Sequence, residues 1–320
     1  MEYRKIYCPM ITAFNEDVKN NNLPSYITEL IIISIKSLVP SENFEKVSID
    51  YKRYNEEIKL WKNYKQGANP SLLNLFDKID SNIYWKEKDD SIYSRILPIT
   101  IVNKNFLDIK DEVIKNVLFT NGNIESLIEA ILISKLIFLL INGEKNIIEQ
   151  LKEEVINFSQ TDFIKDYGKY YRISIGKYEK SFKISFEQKK IFAINVLNLS
   201  PSKDFPVLND CIEVLMLNKT GKTTMGKCVK AILDNEGEEN LVPDYYKELI
   251  EYLYRLRKGR ISPEALKIEH YYLPDVFQFN VGDEFFHSLL NRCKVVKREE
   301  TGDNTIIYLS TKSGVYKFKK

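Results

Sequence analysis

Residues 127–141 are apolar on nearly every face of a helix, with Glu129 and Lys135 the charged interruptions. Such a helix has no side to offer to water, so other helices must wrap it. It also falls short of the roughly 20 apolar residues that a bilayer crossing requires, which makes it a buried helix and not a membrane span. The remainder of the chain can supply the wrapping: 320 residues, 44% of them hydrophobic, are enough for one large domain or one domain with a small appendage.

Charge excludes some partners. With 47 basic against 45 acidic residues the net charge is only +2, without the basic excess of a nucleic-acid binder, so no nucleic acid is expected. Cys8, Cys211, Cys228 and Cys293 lie far apart, with no Cys-x-x-Cys spacing and only His270 and His287 to join them. A zinc site is therefore not expected, and a reduced, cytoplasmic protein fits best. The stretch from Met1 to Pro9 has no apolar signal core, and no membrane association is expected.

Periodicity predicts a mainly α protein. Helices are expected at 30–38, 51–64, 70–79, 108–118, 123–141, 144–158, 188–199, 205–217, 223–233 and 244–257, with Ser25 and Asp204 as N-caps. Residues 1–14 alternate loosely and read as a strand. Residues 170–186 read as an irregular or hairpin insertion. Beyond Pro263, strands are expected at 278–281, 294–297, 305–310 and 315–318, turns at 300–304 and 312–314, and a helix at 283–292. Lys258-Gly259-Arg260 marks a boundary. The predicted organisation is a helical domain, 1–260, whose first strand could join the C-terminal part, and a small α+β appendage, 261–320.

One ordered set of motifs carries a resemblance. Arg95-Ile96-Leu97-Pro98-Ile99 precedes a helix pattern opened by Leu118-Phe119-Thr120-Asn121-Gly122-Asn123. Asp204-Phe205 and Val242-Pro243-Asp244-Tyr245-Tyr246 follow in order. Over roughly residues 20–258 this resembles the ADP-ribosylglycohydrolase family, in which Arg-Ile-Ala-Pro-Ile precedes a helix starting near Thr-His. The resemblance implies that family's helical fold. It also implies a site built from three loops, carried here by Ser25-Tyr26-Ile27-Thr28, Asp89-Asp90-Ser91 and Lys219-Thr220-Gly221-Lys222-Thr223-Thr224.

The family's chemistry uses two metal ions held by aspartates, hard oxygen ligands that neutralise divalent cations. Its Thr-Asp-Asp-Thr is Ser25-Tyr26-Ile27-Thr28 here, so Tyr26 and Ile27 replace both aspartates and only Thr28 remains. Its Gly-Asp-Thr-Asp-Thr falls on the stretch containing Lys222, where no acid lies between Glu213 and Asp234. Its Gly-Asn-Gly loop is Asp89-Asp90-Ser91, and its Thr-His is Thr120-Asn121. The resemblance thus implies a catalytically degenerate member acting as a binding or protein-interaction module, for an ADP-ribose-like ligand or a protein partner, without cofactor. Thr28, Asp89, Asp90, Arg95, Asn121, Lys222 and Thr223 are its ligand-binding candidates, and no residue is assigned to catalysis or metal. The former metal cleft is expected to be filled by the bulk of Tyr26 and Ile27 and the charge of Lys222. The alternative is an active hydrolase of ADP-ribosyl linkages, with a magnesium site rearranged around Asp89 and Asp90.

Two rivals are weaker. Lys219 to Thr224 ends like a phosphate-binding P-loop, but Met216 occupies the first glycine position and a helix pattern precedes it where that loop requires a strand. The C-terminal helix and hairpin would suit a winged helix, but basic residues there are few.

Overall fold

The computed structural model describes residues 2–76, 78–237, 242–302 and 304–320. Met1, Asp77 and Asp303, which belong to segments assigned above, lie outside the described residues. The protein is mainly helical with a small C-terminal antiparallel sheet of four strands.

The chain opens with a helix, α1 (Glu2–Asn21), and not with a strand. Ile6, Met10 and Phe14 recur at four-residue intervals and are all fully buried, so the apolar residues form a helical stripe. Next comes α2 (Tyr26–Lys36), with Ser25 as its N-cap: Oγ accepts the Ile27 N–H at 3.1 Å. A ribbon of β1 (Leu38–Pro40) and β2 (Val47–Ile49) leads into α3 (Tyr51–Trp61), whose first N–H groups Asp50 accepts. The helix expected at 70–79 is cut to a single turn, α4 (Pro70–Leu73). Asn74 folds back onto Asp80, accepting its N–H at 2.7 Å and donating to its carbonyl at 3.0 Å, and α5 (Ser81–Lys86) starts there.

The central layer comprises α6 (Ile92–Val102), α7 (Phe106–Thr120) and α8 (Ile124–Asn142), followed by α9 (Ile147–Asn157) and α10 (Gln160–Tyr167). As its composition requires, α8 is buried on nearly all sides, packed by α6, α7 and α9 and by α11 (Phe182–Leu197), α12 (Pro206–Leu217) and α13 (Thr224–Asp234). Its Glu129 is buried too, and accepts the Leu208 N–H at 2.7 Å and the Tyr93 hydroxyl. Gly143 ends α8 at φ 72°, a left-handed position that glycine adopts without steric cost.

No hairpin forms between α10 and α11. Residues there make 3-10 turns, Gly168–Tyr170 and Ile175–Lys177. The aromatic side chains that suggested alternation instead cluster: Tyr171 and Phe182 pack on Phe163 and on Trp85. Asp204 does not cap α12, which begins with Pro206. Its carboxylate is held by Lys189 at 3.0 Å. The last helix, α14 (Asp244–Arg257), packs on α1, α2 and α6.

At the C-terminus β3 (Glu284–His287), β4 (Asn291–Thr301), β5 (Asn304–Thr311) and β6 (Gly314–Lys319) form a meander in that order. Neither the helix expected at 283–292 nor the strand expected at 278–281 is present. Residues 276–278 form a 3-10 turn, and Glu284 pairs with Lys294 and His287 with Asn291 across a tight turn. Asn291 takes φ 63°, which no helix interior permits. One face of the sheet buries Cys293, Val295, Ile307, Leu309 and Phe318. It meets the helices through Tyr64, edge-on to Tyr316 and Phe318, and through a Lys319 N–H to Asn63 carbonyl bond of 2.7 Å. All four cysteines are buried and free. No helix among the described residues is long and apolar enough to cross a membrane.

Candidate functional site

The starts of α2, α6 and α13 meet around a cavity of about 330 Å³, closed on the fourth side by the last turns of α1. Ser25, Tyr26 and Ile27 come from the first of these starts, Asp90, Tyr93 and Ser94 from the second, and Thr223, Thr224 and Met225 from the third. The three loops expected to build one site, far apart in the chain, therefore surround one space.

Two of the starts are held by a carboxylate from another element. Asp17, on α1, accepts the Ser25 N–H at 2.8 Å, the Thr28 N–H at 3.2 Å, the Ser25 hydroxyl at 2.5 Å and the Asn21 amide at 2.8 Å. Asp210, on α12, accepts the N–H groups of Lys222 at 2.9 Å and Thr223 at 2.7 Å, and the Thr223 hydroxyl at 2.7 Å. Negative charge is favourable at a helix N-terminus, and both acids are buried there. The Asp210 grip demands glycine: a Cβ on Gly226 would lie 2.1 Å from Asp210 Oδ2.

At the α6 start the two neighbouring aspartates part company. Asp89 is 1% exposed and pairs with the fully buried Arg95, Oδ2 to Nη1 at 2.5 Å, while Oδ1 accepts from Asn69 at 2.8 Å and Ser91 at 2.5 Å. Burial works to raise its pKa, but the Arg95 guanidinium and the Ser91 and Asn69 bonds outweigh it and hold the carboxyl below its usual range. Arg95 also donates to Asn116 at 2.8 Å and Thr120 at 2.5 Å, so its fork is occupied. Asp90 is exposed at the cavity rim, where it accepts the Tyr26 hydroxyl at 2.8 Å and the Asn69 amide at 2.8 Å. Burial and this bond to Asp90 raise the Tyr26 pKa, which keeps the phenol a donor.

Of the candidates read from the sequence, only Asp90 and Thr223 line the cavity. Asp89 and Arg95 lie behind its wall as an ion pair. Thr28 is 1% exposed, with a hydroxyl that has no hydrogen-bond partner among the described residues. Asn121 is buried farther off, donating to Ser71 at 3.1 Å and to the Glu87 carbonyl. Lys222 turns outward, 78% exposed and 3.9 Å from Glu213. The expected filling of the cleft is thus corrected: the cavity is open, Lys222 takes no part in it, and Tyr26 acts through its hydroxyl as well as its bulk. Nor does the donor set suit magnesium, because the oxygens of Asp89 are taken by protein donors and Asp90 is shared by Tyr26 and Asn69. A divalent ion needs free oxygens from more than one such group.

Asp17, Asp210, Ser94 and Val207 were missed. Asp17 continues the Met10, Ala13, Phe14 stripe of α1, and Asp210 falls one residue before Cys211 and four before Val214 on the buried face of α12. An acid on an apolar stripe was the available signal. No protein-family model and no curated protein matches this chain, so its chemistry has to be read from the cavity itself.

Proposed function

We propose that this protein is a catalytically degenerate, ADP-ribosylglycohydrolase-like binding protein whose cavity between α1, α2, α6 and α13 receives a small polar ligand. The observation that carries this reading is the convergence of three remote loops on one open cavity, with the acids around it engaged by protein donors.

The lining sets the ligand's character. Among the described residues no lysine or arginine lines the cavity, while Asp90, Asn20 and Asn21 offer acceptors and donors and Ala13, Val207 and Met225 offer apolar wall. Ser94 is 5% exposed and its hydroxyl makes no bond among the described residues. Such a surface favours the hydroxyl-rich part of an ADP-ribose-like molecule over its diphosphate, which Asp90 repels without an intervening cation. A volume of about 330 Å³ lies at the small end of ligand pockets, about 300–1,000 Å³, and takes one moiety of such a ligand.

Isothermal titration with ADP-ribose, with and without magnesium, tests the reading. The expected result is binding that magnesium does not change and that Val207→Trp, placing an indole in the cavity, abolishes. Absence of binding, or binding indifferent to Val207→Trp, overturns it.

A further inference from the structure

A second cavity, of about 430 Å³, opens on another part of the molecule, where the C-terminal end of α2, α3 and α14 meet the β3–β4 and β5–β6 turns of the sheet. Its floor is charged. Glu57 is fully buried, with Lys36 Nζ 2.6 Å and Arg53 Nε 3.8 Å from its Oε1. Lys36 is close enough to neutralise this carboxylate by itself. That leaves Arg53 in surplus.

The Arg53 side chain is only 15% exposed, its Nε is buried without a hydrogen-bond partner, and its guanidinium donates no hydrogen bond among the described residues. A guanidinium offers five N–H donors in a planar fork that matches two oxygens of a carboxylate or phosphate. Keeping the Nε–H out of water with nothing to donate to is unfavourable. Arg95, in the same protein, has every arm of its fork engaged.

The surroundings favour an anion with an apolar body. Lys36 and Arg53 on the floor and Lys312 on the rim face Glu57 behind the floor and Glu248 on the rim, leaving one positive charge over. Leu249, Leu266 and Leu289 supply apolar wall, and Tyr252 and Tyr316 supply ring faces. Burial pushes the Tyr252 hydroxyl up to about 12 against the pull of Arg53, so the phenol beside the guanidinium stays protonated and can donate.

We propose that this cavity binds a small organic anion, a carboxylate or phosphate head on a single-ring or short aliphatic body, with the head on Arg53 and the body against Leu249, Leu266 and Leu289. The sheet is part of the site, because Leu289, Lys312 and Tyr316 come from it. The proposal is independent of the first cavity.

The test titrates the full chain with benzoate, phenyl phosphate, inorganic phosphate and neutral benzyl alcohol. Saturable binding of benzoate or phenyl phosphate, weakened about tenfold or more by Arg53→Met, supports the site, and the preferred probe identifies the head group. No saturable binding by either at millimolar concentration overturns it, as does binding that Arg53→Met leaves unchanged. Benzyl alcohol binding as tightly as benzoate removes the role of charge, and inorganic phosphate binding as tightly as phenyl phosphate removes the role of the apolar wall; either result overturns the proposal. Should Arg53→Met fail to fold, Lys312→Glu on the exposed turn decides: weakened binding of the anions supports the site, and unchanged binding overturns it.

Discussion

The two cavities of this protein treat charge in opposite ways. Around the first, the charges are consumed by the fold: Asp17 and Asp210 hold helix starts, and Asp89 is paired with Arg95. Around the second, Lys36 answers Glu57 and Arg53 is left with an idle fork. A buried charge with every donor and acceptor matched is architecture, whereas one left unmatched beside a cavity is a place for a ligand. The two arginines, Arg95 and Arg53, separate these cases.

The largest test sets those arginines against each other. Arg95→Met leaves Asp89 buried without a counter-charge, and the expected loss in urea denaturation is about 3–5 kcal/mol. Arg53→Met breaks no hydrogen bond and is expected to stay within about 1 kcal/mol of wild type. Equal losses would break the comparison.

The next effect depends on pH and on Glu29, one turn into α2. Burial pushes its pKa from 4.5 up to about 7, against hydrogen bonds from Trp61 at 2.8 Å and the Gln66 N–H at 3.1 Å. The folded state therefore holds this proton more tightly than the unfolded chain. The stability it confers is complete below pH 4.5 and lost as pH rises through about 7. Wild type should lose on the order of 3 kcal/mol relative to Glu29→Gln across that window. His287, lowered to about 4 by burial and Lys36, acts in the opposite sense, but it is common to both proteins and drops out of the difference. A difference that stays flat with pH would show Glu29 to be as fully matched as Asp89.

Asp210→Ala removes the acceptor of two backbone N–H groups and a hydroxyl at the α13 start, and should cost about 2 kcal/mol. The paired measurement is ligand binding at the first cavity, which should weaken with it, since Thr223 and Thr224 line that space. Unchanged binding would detach the α13 start from the site. The smallest expected effect is none: EDTA or added magnesium should leave the melting temperature unchanged, because the acids around the first cavity already serve protein donors. A magnesium-dependent rise would return the rearranged hydrolase to consideration.

Much of the helical body was legible. The core role of α8 followed from its apolar circumference, and α14, β5 and β6 from simple periodicity. The errors share a cause. In α1 the tyrosines, isoleucines and cysteine suit a strand as well as a helix, and packing on α13 and α14 chose the helix. In β3 the run Phe285-Phe286-His287 followed by Leu289-Leu290 also fits a helical face, and pairing with β4 chose the strand. Short apolar runs carry both periods, so their partners decide.

The site divides in the same way. Asp90 and Thr223 were candidates from the sequence alone, and both line the cavity. Sequence alone also determined the helical class, because a helix apolar all round must be enclosed wherever it lies. Only the tertiary structure decided that Asp89 would be sealed against Arg95 while Asp90 faced the cavity, that Lys222 would turn to solvent, and that Arg53 would be left without a hydrogen-bond partner among the described residues. Local patterning is settled among residues a few positions apart. A carboxylate's or guanidinium's role depends on which donors and acceptors lie within about 3 Å of it, and those come from elements far along the chain.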